Sequence, residues 1–188
     1  GVTAHCAERA RDLYKLFVKA DCLITDCRTA ELSKLVENSF RDVNIAFANE
    51  LSLICDKLKI NVWELIKLAN RHPRVNILQP GPGVGGHCIA VDPWFIVNSA
   101  PDEAKLIRMA RLVNDSKPIF VLNKVNQAIQ ATGKDTSELS IACLGLAFKP
   151  DIDDLRESPA LSIARKIRSI SFSSIFLVEP NINCISSG

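Results

Sequence analysis

The chain has 188 residues, of which 47% are hydrophobic and 23% charged, so it is long enough for one large or two small globular domains. Its formal net charge of +2 comes without a block of basic residues, which argues against nucleic-acid binding. The sequence shows no signal-peptide pattern and no apolar run of about 18 residues, so we expect neither a transmembrane helix nor a membrane partner.

Two elements are predicted before the first long helix. Apolar residues at helical spacing predict a helix over residues 3–19, and the apolar run 22–25 predicts a short buried strand. A helix followed by one short strand is typical of the tail of an α/β domain, so we expect that this domain began before residue 1.

The longest predicted helix covers residues 29–59. Its apolar residues step by three or four positions and form a seam about four heptads long. The seam consists of Leu32, Val36, Phe40, Val43, Phe47, Leu51, Ile54 and Leu58. Because this is more apolar surface than one domain usually presents along a single helix, we expect it to pack in a helical bundle or across a homodimer interface. The sequence Asn61-x-x-Glu64 resembles a capping box that opens another helix through Asn70.

Residues 73–93 are rich in proline and glycine and are predicted to be an ordered loop. A helix is then predicted over residues 102–131, with a kink or break near Lys117 because Pro118 falls inside it. The residues predicted to face its interior are Ile107, Ala110, Val113, Ile119, Leu122, Val125 and Ile129.

The C-terminal part of the sequence predicts one β–α–β unit. Residues 139–145 are a continuous apolar run, which is typical of a buried parallel strand. Ser158 is a good N-cap before Pro159 at the first helical position, so a helix is predicted to about Ser169. Residues 174–178 predict the second strand. Since a two-stranded sheet is not stable alone, we expect the chain to end within this domain.

The segment Gly81-x-Gly83-x-x-Gly86 matches the dinucleotide-binding fingerprint as a string of letters. A true fingerprint follows a strand and opens a helix, whereas prolines bracket this segment and no helix fits between Gly86 and Asp92. We therefore interpret the glycines as positions where the backbone closely approaches a ligand and presents the next side chain, Cys88.

Cys88 is a candidate nucleophile, because the backbone N–H groups of such a turn can stabilise a thiolate and an oxyanion. A small buried hydrophobic residue is the competing interpretation, and the local pattern does not decide between them. Asp92, four residues later, either acts as a general base on a water molecule or serves only as a turn residue before Pro93.

Five further polar residues, which precede the proline- and glycine-rich loop or lie at its start, are candidates for ligand binding. Lys34, Asn38 and Arg41 form a stripe along the long helix that is either a solvated face or the lining of a pocket. His72 and Arg74 either bind a phosphate or carboxylate or satisfy the carbonyls at a helix end.

The loop after the strand at 139–145 carries Phe148, Lys149 and Arg156. Ligands of open α/β sheets bind at the carboxyl ends of strands, so the two basic residues suit a phosphate-bearing ligand. The alternative is a solvated charged loop.

The seven cysteines are scattered without any Cys-x-x-Cys pair, and the three histidines are far apart in sequence. This usage argues against a disulfide framework and a metal site, and it favours a reducing compartment. We predict a cytoplasmic protein without a bound metal.

Three stretches together resemble the UDP-glucose/GDP-mannose dehydrogenase family, in the order and spacing of that family. They are Ala30 to Phe40, Gly83 to Pro93, and Gly145 to Pro150 continued through Arg156, Glu157 and Ser158. The resemblance implies a mixed α and α/β fold, in which a central all-helical dimerisation domain precedes a truncated Rossmann-like β–α–β domain. It assigns residues 1–27 to the tail of an N-terminal nucleotide-binding domain, 28–131 to the central domain and 137–188 to a partial UDP-binding domain.

The resemblance also implies an NAD-dependent four-electron oxidation of a nucleotide-sugar CH₂OH group to a carboxylate. Cys88 would attack the aldehyde, and Lys34, Asn38 and Asp92 would be the other catalytic residues. The residues that would bind the UDP-sugar substrate are Arg41, His72, Arg74, Gly85, Phe148 and Lys149. Arg156 would contact NAD.

Most of the family's N-terminal domain would lie before Gly1, so we expect the 188 residues to be inactive alone. The competing expectation is a dimerisation or nucleotide-sugar-binding module without catalysis. The sequence leaves the choice among nucleotide sugars open.

Overall fold

The computed structural model describes residues 1–182. Its helices are α1 (Ala4–Tyr14), α2 (Cys27–Leu58), α3 (Val62–Ala69), α4 (Asp92–Ser99), α5 (Lys105–Thr132) and α6 (Pro159–Arg168). Its strands are β1 (Ser140–Leu144) and β2 (Ser174–Val178), and a short 3-10 helix, Thr136–Glu138, precedes β1. The predicted mixed α and α/β class is confirmed. Cys184 and the end of the predicted 137–188 domain lie outside the described residues.

Helix α2 has 32 residues and confirms the long helix predicted at 29–59. Asp26 caps its N-terminus, because the carboxylate accepts hydrogen bonds from the backbone N–H of Thr29 at 2.9 Å and from its hydroxyl at 2.6 Å. Lys59 ends the helix in the left-handed conformation, with a φ of 59°.

The face of α2 that packs within the chain is small and polar, and α4 and α5 lie against this helix. Its buried residues are Asn38, Ser39, Asp42, Ala46, Ala48, Asn49 and Cys55. Most of the predicted apolar seam is exposed instead: Phe40 is 68% exposed, Phe47 52% and Leu58 60%. Residues 1–182 therefore leave the seam largely uncovered.

Helix α5 continues through Pro118, so a break near Lys117 is wrong. The proline removes a single N–H from a long helix whose packing against α2, α4 and α6 outweighs that loss. The predicted interior is also wrong in part, since Ile119 is 57% exposed. The buried residues are Ala110, Arg111, Asn114 and Lys117, because α5 meets the polar face of α2.

Before α2, the predicted helix is confirmed but the predicted strand is wrong. α1 ends at Tyr14, and residues 22–25 are irregular, with Leu23 90% exposed. A strand needs a hydrogen-bonding neighbour, and within residues 1–182 the only paired strands are β1 and β2.

Helix α3 confirms the predicted N-cap, since the side-chain oxygen of Asn61 accepts hydrogen bonds from the N–H groups of Trp63 and Glu64. Helix α4 begins inside the predicted loop 73–93. Its second residue is Pro93, a position where the missing N–H removes no helical hydrogen bond.

Strands β1 and β2 pair in parallel, with Ile141 opposite Ile175, and α6 connects them, which confirms the β–α–β unit. Ser158 caps α6 by accepting a hydrogen bond from the N–H of Leu161 at 3.2 Å. Full burial of β1 is wrong: exposed and half-buried residues alternate along it, and Leu144 is 77% exposed. In the part of the chain that the structure describes, no helix is both long and apolar enough to cross a membrane.

Candidate active site

Cys88 lies in an exposed turn that directly precedes α4. Its carbonyl oxygen accepts hydrogen bonds from the N–H groups of Val91 at 3.1 Å and Asp92 at 2.8 Å, which fixes the backbone of the turn. Its Sγ lies 3.9 Å from Nδ1 of His87. Cys88 is therefore not a buried structural cysteine, and its thiol is open to a ligand or a reagent.

Asn38 and Asp92 meet although they are 54 residues apart in sequence. Nδ2 of Asn38 donates a hydrogen bond of 2.6 Å to Oδ2 of Asp92. Asn38 is buried on α2, whereas Asp92 is half-buried as the first residue of α4, where the helix dipole favours a carboxylate. Two of the predicted catalytic residues thus lie at the end of the turn that carries Cys88.

Gly85 and Gly86 are required by contact with the loop that follows β1. A Cβ at Gly85 would lie 2.6 Å from both the carbonyl oxygen of Glu157 and the Cβ of Phe148. Gly86 has a φ of 77°, and a Cβ there would lie 3.0 Å from the ring of Phe148. The close approach predicted at these glycines is present, but it is made to the chain's own loop.

Phe148 thus brings the predicted substrate loop against the cysteine turn. Lys149 beside it is exposed, with its Nζ 5.7 Å from the centroid of the Phe148 ring. Arg156 is also exposed and binds Asp154, with Nη2 donating to Oδ2 at 2.6 Å and Nε to Oδ1 at 2.9 Å. The hydrogen bonds from Arg156 lower the pKa of Asp154 to about 2.

Lys34 and Arg41 are exposed on α2 and do not share the buried environment of Asn38, so the predicted stripe is divided. Lys34 pairs with Glu37 at 3.0 Å, an exposed ion pair that contributes little. No hydrogen bond or ion pair within residues 1–182 joins either residue to Cys88.

His72 and Arg74 lie in an exposed turn after α3. Nδ1 of His72 accepts a hydrogen bond from the N–H of Arg74 at 3.2 Å, so this side chain holds the turn and not the helix carbonyls. The guanidinium of Arg74 is exposed to solvent at the surface of the chain.

Two residues that sequence reasoning missed hold the neighbouring loops. The Asn70 side chain makes two hydrogen bonds to the backbone of Ile77. Its Nδ2 donates to the carbonyl oxygen at 2.9 Å, and its Oδ1 accepts from the N–H at 2.7 Å. Oε2 of Glu179 accepts hydrogen bonds from the N–H groups of Leu146 at 2.8 Å and Ala147 at 3.0 Å, which lower the pKa of Glu179. An acidic residue directly after the second strand of a β–α–β unit is the signal that could have found it.

The described residues supply few contacts for NAD. The segment 81–86 neither follows a strand nor opens a helix, as the sequence predicts. In the turn after β1, where a β–α–β unit can hold a phosphate, the N–H groups of Leu146 and Ala147 bind the Glu179 carboxylate. The exposed guanidinium of Arg156 is suited to one contact with the cofactor. Residues 1–182 contain no dinucleotide-binding fingerprint besides it.

Two family models match the sequence. Residues 28–116 match the central domain of the UDP-glucose/GDP-mannose dehydrogenase family, and residues 142–184 match its UDP binding domain. A UDP-N-acetyl-D-mannosamine dehydrogenase from Campylobacter jejuni is 68% identical over 182 residues, which cover 97% of this chain and 44% of that protein. An NDP-N-acetyl-D-galactosaminuronic acid dehydrogenase from Ralstonia solanacearum is 60% identical, over 98% of this chain and 43% of that protein.

The solved structure of a UDP-D-ManNAc dehydrogenase from Pyrococcus horikoshii superposes with a TM-score of 0.89 at 42% identity. The superposition covers 100% of this chain and 45% of that one. The chain thus spans less than half the length of the relatives that it matches.

Proposed function

Because the chain belongs to the UDP-glucose/GDP-mannose dehydrogenase family, we propose that it supplies the nucleophile for the NAD-dependent oxidation of UDP-N-acetyl-D-mannosamine to UDP-N-acetyl-D-mannosaminuronate. The observation that carries the proposal is the exposed turn of Cys88, which ends at the Asp92 carboxylate held by Asn38. The 68% identity to a relative named UDP-N-acetyl-D-mannosamine dehydrogenase supports the choice of sugar. We also propose the domain division at 1–27, 28–131 and 137–188.

Cys88 holds the sugar between two oxidation steps. The sulfur adds to the carbonyl carbon of the sugar aldehyde, and the carbonyl electron pair moves to oxygen, which gives a thiohemiacetal. Two NAD molecules, bound one after the other, would supply the hydride acceptor, one for the oxidation to the aldehyde and one for the oxidation of the thiohemiacetal to the thioester. Water then breaks the C–S bond, which releases the carboxylate and returns the thiol.

Asp92 and Asn38 act on that water. The carboxylate of Asp92 takes a proton from the water as it attacks the thioester, and the hydrogen bond from Asn38 keeps this carboxylate in place. Lys34, one helical turn before Asn38, stabilises the negative charge that forms on the former carbonyl oxygen of the sugar. To reach it, the ammonium group leaves Glu37, a small cost for an exposed pair.

The remaining proposed contacts hold the ligands. The substrate-binding residues are Arg41, His72, Arg74, Gly85, Phe148 and Lys149. Their basic groups suit the diphosphate, and the Phe148 ring beside the cysteine turn suits a flat base or a sugar face. Arg156 contacts NAD.

We propose that the 188 residues alone do not form NADH, since the described part of the chain offers little more than Arg156 to this cofactor. Incubation of the chain with NAD and UDP-N-acetyl-D-mannosamine tests this by absorbance. Any NADH above a reaction that lacks the chain contradicts it.

Alkylation of the chain with iodoacetamide tests the nucleophile. Mass spectrometry of peptides gives the rate at each cysteine, and exposed Cys27 at the start of α2 is the internal reference. We expect UDP-N-acetyl-D-mannosamine to slow Cys88 at least fivefold and to leave Cys27 unchanged. An unaffected Cys88 rate would contradict the proposal, and stronger protection by UDP-glucose would favour UDP-glucose 6-dehydrogenase.

A second candidate is a homodimerisation or nucleotide-sugar-binding module without catalysis. The exposed seam of α2 favours the homodimer part of this proposal, because a second copy of the helix would cover it. Protection of Cys88 by UDP alone, equal to that by the UDP-sugar, would favour the module over the enzyme.

A further inference from the structure

The loop that carries Cys88 is fastened to α2 at both ends. At its start, the N–H of Gly81 donates a hydrogen bond of 2.8 Å to Oδ1 of Asn49. At its end, Asp92 accepts the hydrogen bond of 2.6 Å from Asn38. The two asparagines are separated by about 16 Å along the helix axis. Since the chain from Gly81 to Asp92 could extend to roughly 36 Å, the fastened loop is longer than the distance that it spans.

Asn49 is the last member of a buried chain of hydrogen bonds that begins at an ion pair. Nη1 of Arg111 donates to Oδ1 of Asp42 at 2.6 Å. Nδ2 of Asn114 donates to the same oxygen at 2.8 Å, and Nδ2 of Asn49 donates to Oδ1 of Asn114 at 2.8 Å. All four residues are at most 1% exposed, so the packing of α5 on α2 sets the geometry of their side chains.

The carboxylate of Asp42 determines the direction of each amide in this chain. Because a carboxylate only accepts hydrogen bonds, Asn114 has to turn its NH₂ group towards Asp42 and its oxygen towards Asn49. Asn49 then has to turn its NH₂ group towards Asn114, which leaves its oxygen for the N–H of Gly81. Only a side chain that both donates and accepts can satisfy the oxygen of Asn114 and the N–H of Gly81 together.

We infer that Asn49 is a positioning residue for Cys88, because together with Asn38 it fixes the two ends of the loop and hence the place of the thiol relative to Asp92. The inference rests on the proposed function, in which Cys88 is the nucleophile. Gly81 takes part through its N–H and not through its small size, since a Cβ there would meet no atom closer than 3.9 Å.

Asn49→Leu in the 188-residue chain tests the inference, because it removes the acceptor at similar volume. We expect the Gly81 amide to exchange its hydrogen at least tenfold faster, measured by NMR. We expect iodoacetamide to alkylate Cys88 at least threefold more slowly. The thiol is already exposed, so a looser loop gives no new access. The thiol also loses its fixed distance of 3.9 Å to Nδ1 of His87, a base that can take its proton.

Two controls separate positioning from general loosening. Cys55 is buried on α2, 2% exposed, and its thiol should stay unreactive in Asn49→Leu. Gly81→Ala keeps the N–H and has room for its methyl group, so the Cys88 rate should match the wild type.

A faster Gly81 exchange with a Cys88 rate within twofold of wild type would overturn the inference and leave the proposed function intact. Alkylation of Cys55 in the variant would also overturn it, because the substitution would then act by loosening the packing around α2. The proposed function fails on another measurement, the protection of wild-type Cys88 by UDP-sugar.

If Asn49→Leu does not fold, Asn49→Asp gives the decision. This variant keeps an acceptor for Gly81 but turns an oxygen towards the oxygen of Asn114, so both readouts should move in the same directions by smaller factors. Asn44→Asp, the same change at a hydrogen bond exposed to solvent on α2, is the matched control. Equal readouts in the two aspartate variants would overturn the inference.

Discussion

The amide of Asn38 on α2 donates a hydrogen bond of 2.6 Å to the carboxylate of Asp92, the first residue of α4. The donor is buried and the acceptor is half-buried, so water competes weakly for the contact. A hydrogen bond to a charged group typically contributes about 1.5–3 kcal/mol. The end of the cysteine loop therefore depends on a neutral donor at Asn38.

Asn38→Asp replaces that donor with a second carboxyl group at nearly the same volume. Two carboxylates at this distance cannot both ionise cheaply, so we expect the variant to unfold about 2 kcal/mol more easily at pH 7. The pair binds a proton more tightly when folded, so the deficit should shrink as pH falls below 5. Urea denaturation of the variant and the wild type at pH 7 and at a pH below 5 measures the difference in free energy of unfolding. Asn44→Asp, at a solvent-exposed hydrogen bond on the same helix, should show neither effect, and a pH-independent deficit would contradict the prediction.

Gly85→Ala tests the contact between the cysteine turn and the loop after β1. The new methyl group would lie 2.6 Å from the Glu157 carbonyl oxygen and the Phe148 Cβ, so one loop has to move. We expect a loss of about 1–3 kcal/mol in the free energy of unfolding and a changed NMR shift for the Phe148 ring. Gly81→Ala is the matched control with room for a methyl group, and an equal effect in both would argue against the contact.

The elements that the sequence predicted well carry local signals. The caps at Asn61 and Ser158 and the periodicity of α2 involve residues at most four positions apart, so they are readable without the fold. The sequence did not predict helix α4, because a proline usually ends a helix. Pro93, however, lies in the first turn of α4, where a proline is tolerated.

Periodicity shows which residues share a face, but not what covers that face. The apolar seam of α2 is a regular stripe, yet the chain buries the opposite face through Asp42 and Asn49. Their partners on α5 are 65 to 72 residues away in sequence, and no local pattern announces them. The same holds for the site: the Cys88 turn was readable, whereas the contact of Phe148 with Gly86 follows only from the fold.

Because the apolar seam of α2 is uncovered, we predict a homodimer that pairs through it. A single charged residue placed in the seam should weaken this dimer. Phe40 is 68% exposed at the N-terminal half of the seam, and Phe40→Asp should place a charge in the interface. We expect equilibrium sedimentation to show a dimer for the wild type and at least a tenfold higher dissociation constant for the variant. Leu106→Asp, on α5 and also 68% exposed, is the matched control. A monomeric wild type at high concentration would contradict the prediction.

The pKa of Asp154, about 2, depends mainly on hydrogen bonds from Arg156. Arg156→Gln should therefore raise the midpoint of the Asp154 carboxyl in an NMR titration towards its ordinary value of 3.8. A lowered carboxyl pKa stabilises the fold above pH 4, and this contribution is lost as pH falls from about 4 to 2. Lys149→Gln removes another exposed cation of the same loop and should leave the midpoint near 2. Equal shifts in the two variants would contradict the assignment to Arg156.

Lys117 is a buried cation on the face of α5 that meets α2. Its Nζ donates a hydrogen bond of 2.6 Å to Oγ of Ser52 and lies 4.7 Å from the centroid of the Phe120 ring. Burial lowers the pKa of Lys117, and the negative charge of Asp56 only partly opposes this. The folded state therefore carries a desolvation cost whenever this lysine is protonated.

Lys117→Met keeps the length of the side chain and removes that cost together with the hydrogen bond to Ser52. We expect the variant to be between equal and about 1 kcal/mol more stable than the wild type at pH 7. The folded pKa lies below the unfolded one, so the wild type sheds the cost as pH rises towards 10.5, and any advantage of the variant should shrink there. Thermal unfolding at pH 7 and pH 10 measures both effects. Lys124→Met, which removes the half-exposed partner of Asp56 at 2.6 Å, should gain nothing at either pH. A deficit above 1 kcal/mol at pH 7 in Lys117→Met would show instead that the contacts of the ammonium group outweigh its desolvation.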